Sequence, residues 1–411
     1  MTYKYLIIGG GVAGVTCAET IRATDAEGTI GIVSDEPYML YSRVMLSKPN
    51  FFLEKVPFDQ IWLKGKQWYE DKKISFIGGH SVNGIDPQNK NISISNGEKI
   101  NYEKLLIAIG TATRKCTVKG SDKKGIHYLK TLEDAKGIME DIKNAKSAVT
   151  VGGGFIGFEM ADLMQMAKMK TTVVVREPCF WHPTLDQESG QIIENAMKNT
   201  GLDIIHSNEV VEILGDERVS GVILKDGRQI PCEIIVFGIG TANDFSWIQS
   251  AGIQTNKGIL ANEYMETNIP DIWVAGDVAE YKDLLLEENI QMGNWVSAHE
   301  QGRIVGQAMV GKREPFKFIS FYTTTGFGLS IAFVGDVNFH PERQIIARKE
   351  LSKNSIGRII LDKNQIAGAT LINRTQEMGA ISKLIEKNVD VSGVVDKLGD
   401  VGFDLKGVLK S

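Results

Sequence analysis

Two glycine triplets carry the clearest chemistry in this sequence. YLIIGGGVAGVTCAET places Gly9, Gly11 and Gly14 between a short apolar strand starting at Tyr3 and an amphipathic helix reaching about Thr24. TVGGGFIGFEM repeats the device with Gly152, Gly154 and Gly157. The three glycines of such a set act mechanically, giving in turn a tight bend, close approach of backbone to a pyrophosphate, and close packing of helix on strand. The helix that follows offers unpaired N–H groups and a positive dipole end to phosphates. A glycine triplet alone is a weak signal; one set between a strand and a helix, with a second strand ending on an acid, is a strong one. The strand Thr29–Ser34 ends on Asp35 and Glu36, either of which can accept ribose hydroxyls. The second strand of the later unit, Thr171–Val175, ends on Val175 and Arg176, with Glu177 following. Without an acid at that tip a ribose 2′-hydroxyl loses its acceptor, and Arg176 can meet a 2′-phosphate. That favours NADPH over NADH, although Glu177 is near enough to reverse the preference. Two such turns imply two dinucleotides. Inside the second helix, Glu159 is a carboxylate one turn in among apolar residues, and a buried charge there needs a partner.

These residues need a large scaffold, and 411 residues suffice for two or three domains, each with its own core. Hydrophobic residues at 43% and charged residues at 24% are ordinary for a globular protein. A formal net charge of −5 argues against nucleic acid or an anionic membrane surface as partner. No apolar run is long enough for a membrane span. The first strand begins too early to leave room for a signal peptide, so a cytoplasmic location is expected. Cys17, Cys116, Cys179 and Cys232 form no closely spaced pair, and the six histidines show no ligand spacing, so neither a local disulfide nor a metal is expected. Cys17 reads as a small buried hydrophobe. Cys179, beside His182 in REPCFWHP, is a candidate reactive thiol only if its pKa is depressed. The methionines at 160, 164, 166 and 169 read as core filler.

Four further stretches make the pattern specific: LYSRVMLSKP (40–49), YEKLLIAIGTATR (102–114), IPDIWVAGDVAE (269–280) and NWVSAHEQG (294–302). With the glycine turns they make the chain resemble the FAD-dependent pyridine-nucleotide oxidoreductases. The branch it is most similar to is that of the ferredoxin, putidaredoxin and rubredoxin reductases, with apoptosis-inducing factor and the reductase part of nitrite reductase as cousins. The resemblance implies that Gly9, Gly11, Gly14, Asp35 and Glu36 hold FAD, joined by Arg43, Lys48, Val82, Ala108, Gly110, Arg114, Asp277, Trp295 and Ala298. Lys48 is implied near the flavin N5 edge, Val82 at adenine, Asp277 on the ribityl chain, and Trp295 and Ala298 near the pyrimidine end. The family's proline before Arg114 is missing here, and Leu40, Tyr41 and Val44 also depart from its pattern. On the nicotinamide side the resemblance implies Gly152, Gly154, Phe155, Ile156, Gly157, Glu159, Val175, Arg176, Gly238 and Gly240. Phe155 matches a residue that covers the flavin until nicotinamide displaces it; a buried core phenylalanine is the alternative. Glu159 matches a glutamate that pairs with the lysine near the flavin, here Lys48, and reaches the nicotinamide amide. Lys48, Glu159 and Phe155 are thus the expected catalytic set.

The expected fold class is α/β, with two Rossmann-like dinucleotide-binding domains of three layers around parallel sheets, plus a smaller α+β C-terminal domain. The FAD domain is expected at 1–117 and 243–316, the NAD(P)H domain at 118–242, and the C-terminal domain at 317–411. In the family that last domain packs near the flavin and often forms an interface, which makes a homodimer an expectation. FYTTTGFG (321–328) is expected to approach the ring; an amphipathic strand with aromatic core residues is the alternative. The expected activity is hydride transfer from NADH or NADPH to FAD, then electron transfer to a ferredoxin- or rubredoxin-type protein. The disulfide reductases of this fold carry cysteines in the segment that reads YSRVMLSK here, so electrons are expected to leave directly from flavin. Oxygen as acceptor, or a slow redox-sensitive interaction module resembling apoptosis-inducing factor, are the other readings.

Overall fold

In the computed structural model, which describes residues 1–410, each glycine turn joins a strand of a parallel sheet to a helix. Thr2–Ile8 feeds the helix Val12–Thr24, and Ser147–Val151 feeds the helix Phe155–Met166. Gly11 and Gly154 are the N-caps, and neither helix has a side-chain cap or an acidic residue in its first turn. The leading N–H groups are therefore left to whatever lies in front of the turn.

The chain divides into two compact units, one of 1–42, 59–112 and 242–318, the other of 43–58, 113–241 and 319–411. In the first unit Ile74–Gly78, Ile30–Ser34, Thr2–Ile8 and Lys99–Ile107 run side by side in parallel. The sheet then forks. The end of Lys99–Ile107 pairs in parallel with Ile272–Val274, while its beginning pairs antiparallel with Asn91–Ile94, which continues to Val82–Asp86. Ile30–Ser34 is buried along its whole length, which explains its unbroken run of apolar and small residues. The helix Val12–Thr24 packs on the long helix Trp295–Met309. Their separation is set by Gly302, where a Cβ would stand 2.2 Å from the Ala13 carbonyl oxygen. Cys17 is buried in this unit and burial raises its thiol pKa, as a packing role requires.

The second unit has a five-stranded parallel sheet in the order Asp203–Ile205, Lys170–Val174, Ser147–Val151, Ile234–Phe237 and Ile126–His127. It also holds an antiparallel C-terminal sheet: Phe321–Gly326, Leu329–Gly335, Gln365–Ile372, Ser355–Asp362 and Gln344–Glu350. The helix Met378–Glu386 packs against two of its strands. The fold class is thus the expected one. The C-terminal α+β element packs on the parallel-sheet part of this unit: Phe158 and Phe180 share a buried cluster with Leu329, Ile331 and Phe333. Arg358 reinforces this by donating to the Thr184 carbonyl at 2.8 Å. Ser411, the last residue of the expected third domain, lies outside the described residues. No described helix is long and apolar enough to cross a membrane.

The contact at Gly302 is backbone against backbone, so no side-chain rotation relieves it. Gly302→Ala should lower stability by about 1–3 kcal/mol, read as a shifted urea midpoint at unchanged slope. An unaltered midpoint would contradict the close packing of the two helices.

Candidate functional site

The two turns are mechanical copies. Gly9 and Gly152 have φ of +120° and +125°, and a Cβ on either would meet a carbonyl oxygen at 2.2 Å: Ala108 for the first, Gly238 for the second. A Cβ on Gly11 or Gly154 would meet nothing within 4 Å, so the backbone faces open space where a pyrophosphate would lie. Gly14 and Gly157 press on Gly9 and Gly152, at 2.1 and 2.0 Å from carbonyl oxygen to an added Cβ. Tight turn, open face and close packing recur at the same three positions, which fits a dinucleotide at each.

In the first unit four of the expected FAD residues lie at the carboxyl ends of adjacent parallel strands. Gly9, Asp35 and Ala108 directly follow three of them, and Asp277 lies just beyond a fourth. Glu36 accepts the Tyr41 hydroxyl at 2.7 Å, while Asp35 is exposed. Gly110 and Gly276 both adopt positive φ, +65° and +83°. The Gly276 N–H donates to Gln301 Oε1 at 2.7 Å, fixing the loop that presents Asp277. Trp295 and Ala298 lie in the first turn of their helix, which Asn294 caps by accepting the Ser297 N–H at 2.7 Å. Val82 begins its strand, half-buried.

In the second unit a cleft of about 660 Å³ opens over the second turn, a volume suited to a small-molecule ligand. Gly152, Gly153, Gly154, Gly238 and Gly240 line it, with Arg114, Arg176 and Glu177 as charged walls. Arg114, which the resemblance assigns to the flavin, thus stands on this wall; its backbone N–H donates to the Gly240 carbonyl at 3.0 Å. Arg176 is not an unpaired cation: its Nε and Nη2 both donate to Glu177 Oε1, at 3.1 and 2.8 Å. Val175 is buried behind the turn, 2.7 Å from an added Gly153 Cβ, and Ile156 lies against Gly238.

Glu159 finds its partner within the same unit. Lys48 Nζ donates to Glu159 Oε1 at 2.5 Å, with the carboxylate side chain 9% exposed and the lysine 27%. Thr324, which sequence reasoning did not single out, donates to that same oxygen at 2.7 Å. Asp162, one turn along, accepts the Phe327 N–H at 3.1 Å. Burial pushes the Asp162 carboxyl pKa up, and the charge of Glu159 adds to the effect. Arg43 donates to the Lys130 carbonyl at 2.8 Å. Phe155, half-buried, stacks on Tyr322 at 5.6 Å between centroids and meets Trp181 and Phe333 edge-on at 5.3 and 5.5 Å. Cys179 does not have the depressed pKa that a reactive thiol needs: it is buried, and burial raises its thiol pKa.

A family model described as pyridine nucleotide-disulphide oxidoreductase matches residues 3–302, and the chain belongs to that family of FAD-dependent NAD(P)H oxidoreductases. Nitrite reductase (NAD(P)H) of Bacillus subtilis is 28% identical over 393 residues. Those cover 95% of this chain but 48% of the relative, so the chain spans about half of it. The ferredoxin–NAD(+) reductase component of the biphenyl dioxygenase system of Paraburkholderia xenovorans is 27% identical over 405 residues, 98% of each protein. Putidaredoxin reductase, in its covalent complex with putidaredoxin, superimposes with a TM-score of 0.93 at 25% identity, covering 99% of this chain and 98% of that one.

Asp162 allows a test of the cluster's electrostatics. Its pKa is higher folded than unfolded, so the ionised form costs stability at neutral pH, and that cost fades as pH falls through the folded value. Asp162→Asn, which keeps an acceptor for Phe327, should raise Tm at neutral pH, with the difference closing below about pH 4. A difference that grows on acidification would contradict the assignment.

Proposed function

We propose that this chain moves hydride from NADH to FAD and delivers the electrons to a small iron–sulfur or rubredoxin-type protein. Glu159 carries the reading: a nearly buried carboxylate, paired with Lys48, on the helix that leaves the second dinucleotide turn. The open-faced turn at Gly9–Gly14, with Asp277 and the N-terminus of Trp295–Met309, is suited to FAD, which when bound supplies two-electron uptake and one-electron release. The uncapped N–H groups after Gly154 hold the nucleotide pyrophosphate, and the cleft walls hold the rest. Glu159 takes the nicotinamide carboxamide, fixing ring orientation, and Lys48 holds that carboxylate in place. Phe155 occupies the nicotinamide position until the nucleotide enters.

The carrier-protein acceptor is supported by the full-length similarity to the ferredoxin and putidaredoxin reductases. It also agrees with the cysteines, all four of which are free. Burial raises the pKa of Cys17 and Cys179 and pushes Cys232 up to about 12, so these thiols are poor relays. Free thiols also accord with a cytoplasmic protein. The Arg176–Glu177 pair supports NADH as the donor in this reading. The guanidinium already has a carboxylate partner, and that carboxylate lies on the cleft wall within reach of a ribose hydroxyl.

Two experiments test this. In anaerobic stopped-flow, Glu159→Ala should retain FAD yet bleach it about 10–100-fold more slowly with NADH. An unchanged rate would remove Glu159 from the site, and a reduced flavin that ignores every carrier but reoxidises in air would replace the acceptor with oxygen. Separately, Glu177→Ala frees Arg176 and should shift the NADPH-to-NADH ratio of kcat/KM by about tenfold toward NADPH. A ratio that stays put would show that the strand tip does not read the ribose.

A further inference from the structure

The C-terminal hairpin reaches the helix Phe155–Met166 at two carboxylates a turn apart. Its tip is a two-residue turn, Phe327 and Gly328, both at positive φ (+53° and +75°), closing the pair Gly326–Leu329. The Phe327 N–H goes to Asp162. Gly326 is held so close that an added Cβ would stand 2.7 Å from the Phe158 ring. Two residues back, on the same face of the strand, Thr324 is 3% exposed and gives its one hydroxyl proton to Glu159 Oε1. Thr323 and Thr325 face outward, exposed.

Both donors, Lys48 and Thr324, thus fall on one oxygen, and Oε2 makes no hydrogen bond among the described residues. The two donors do different work. A lysine ammonium at the end of a flexible, partly exposed stem supplies charge but constrains direction weakly. A short hydroxyl on a paired strand constrains direction. We infer that Thr324 is a positioning residue: it orients the Glu159 carboxylate so that Oε1 stays with Lys48 and Oε2 is presented to the carboxamide N–H of the nicotinamide. The C-terminal sheet therefore contributes to nucleotide recognition through Glu159. This inference rests on the reading of Glu159 as the carboxamide contact.

The test uses the full-length, FAD-loaded protein and two reduced nucleotides: NADH and its acetylpyridine analogue, which has a methyl group in place of the carboxamide nitrogen. Thr324→Val removes the donor at nearly constant shape, and Thr324→Ser keeps it. With Thr324→Val, anaerobic flavin reduction by NADH should slow about 5–20-fold, while reduction by the analogue changes less than about twofold. The serine protein should retain the wild-type preference for NADH over the analogue. Thr324→Ala carries the same comparison should the valine protein fail to fold. Equal slowing with both nucleotides would mean a merely structural threonine and overturn the inference, as would no slowing with either. Failure of the underlying reading looks different: Glu159→Ala would then leave the preference between the nucleotides intact.

Discussion

A carboxylate buried on an otherwise apolar helix is the constraint around which the second unit is arranged. The helix Phe155–Met166 buries Phe158, Met160, Ala161, Leu163 and Met164, and Glu159 among them is 7% exposed. Leaving such a charge unpaired would cost about 3–5 kcal/mol, so a cation and a further donor have to come from elsewhere in the chain. They come from two distant segments, Lys48 before the helix and Thr324 long after it. That requirement accounts for the composition of the unit. The segment 43–58 joins the second unit, tied by Lys48 to Glu159 and by Arg43 to the Lys130 carbonyl. The C-terminal sheet joins it through Thr324 and the shared cluster around Phe158.

The glycine turns follow a different logic, because what they require is local. A positive φ at Gly9 or Gly152, an open face at Gly11 or Gly154, and a carbonyl pressed on Gly14 or Gly157 exclude side chains within a few residues. Spacing in the sequence therefore reports them faithfully, and the α/β class, the two dinucleotide turns and the helices that leave them were all legible there. Glu159 was legible for a related reason: burial of the following residues could be read from the helical pattern, and a buried charge implies a partner.

Less legible was whatever depends on direction or on distant contacts. Three successive threonines at 323–325 look alike in sequence. Only the pairing of Phe321–Gly326 with Leu329–Gly335 decides that Thr324 turns inward beside Gly326. Asp162 carried a signal that was available, a second carboxylate three residues after Glu159 on the same helix face. Arg176 and Glu177 are neighbours in sequence, but that their side chains turn toward each other has no sequence signature. Cys179 read as a thiol beside a histidine, but His182 is exposed while the sulfur is buried, and proximity in sequence said nothing about their environments. How the C-terminal element packs on its neighbours depends on which ring meets which strand, and has no local signature.

The family takes its name partly from a disulphide, and this chain meets the same chemistry without one. A thiol relay needs a low-pKa sulfur exposed to its partner, and here Cys17, Cys179 and Cys232 are buried with raised thiol pKa values. In the segment that carries cysteines in the disulphide-bearing members, this chain has Lys48, whose ammonium serves Glu159. A cation held against a carboxylate fixes where that group lies, a different task from the electron relay that a dithiol would perform. The proposal that electrons leave directly from flavin therefore rests on the sulfur missing from this segment rather than on Lys48.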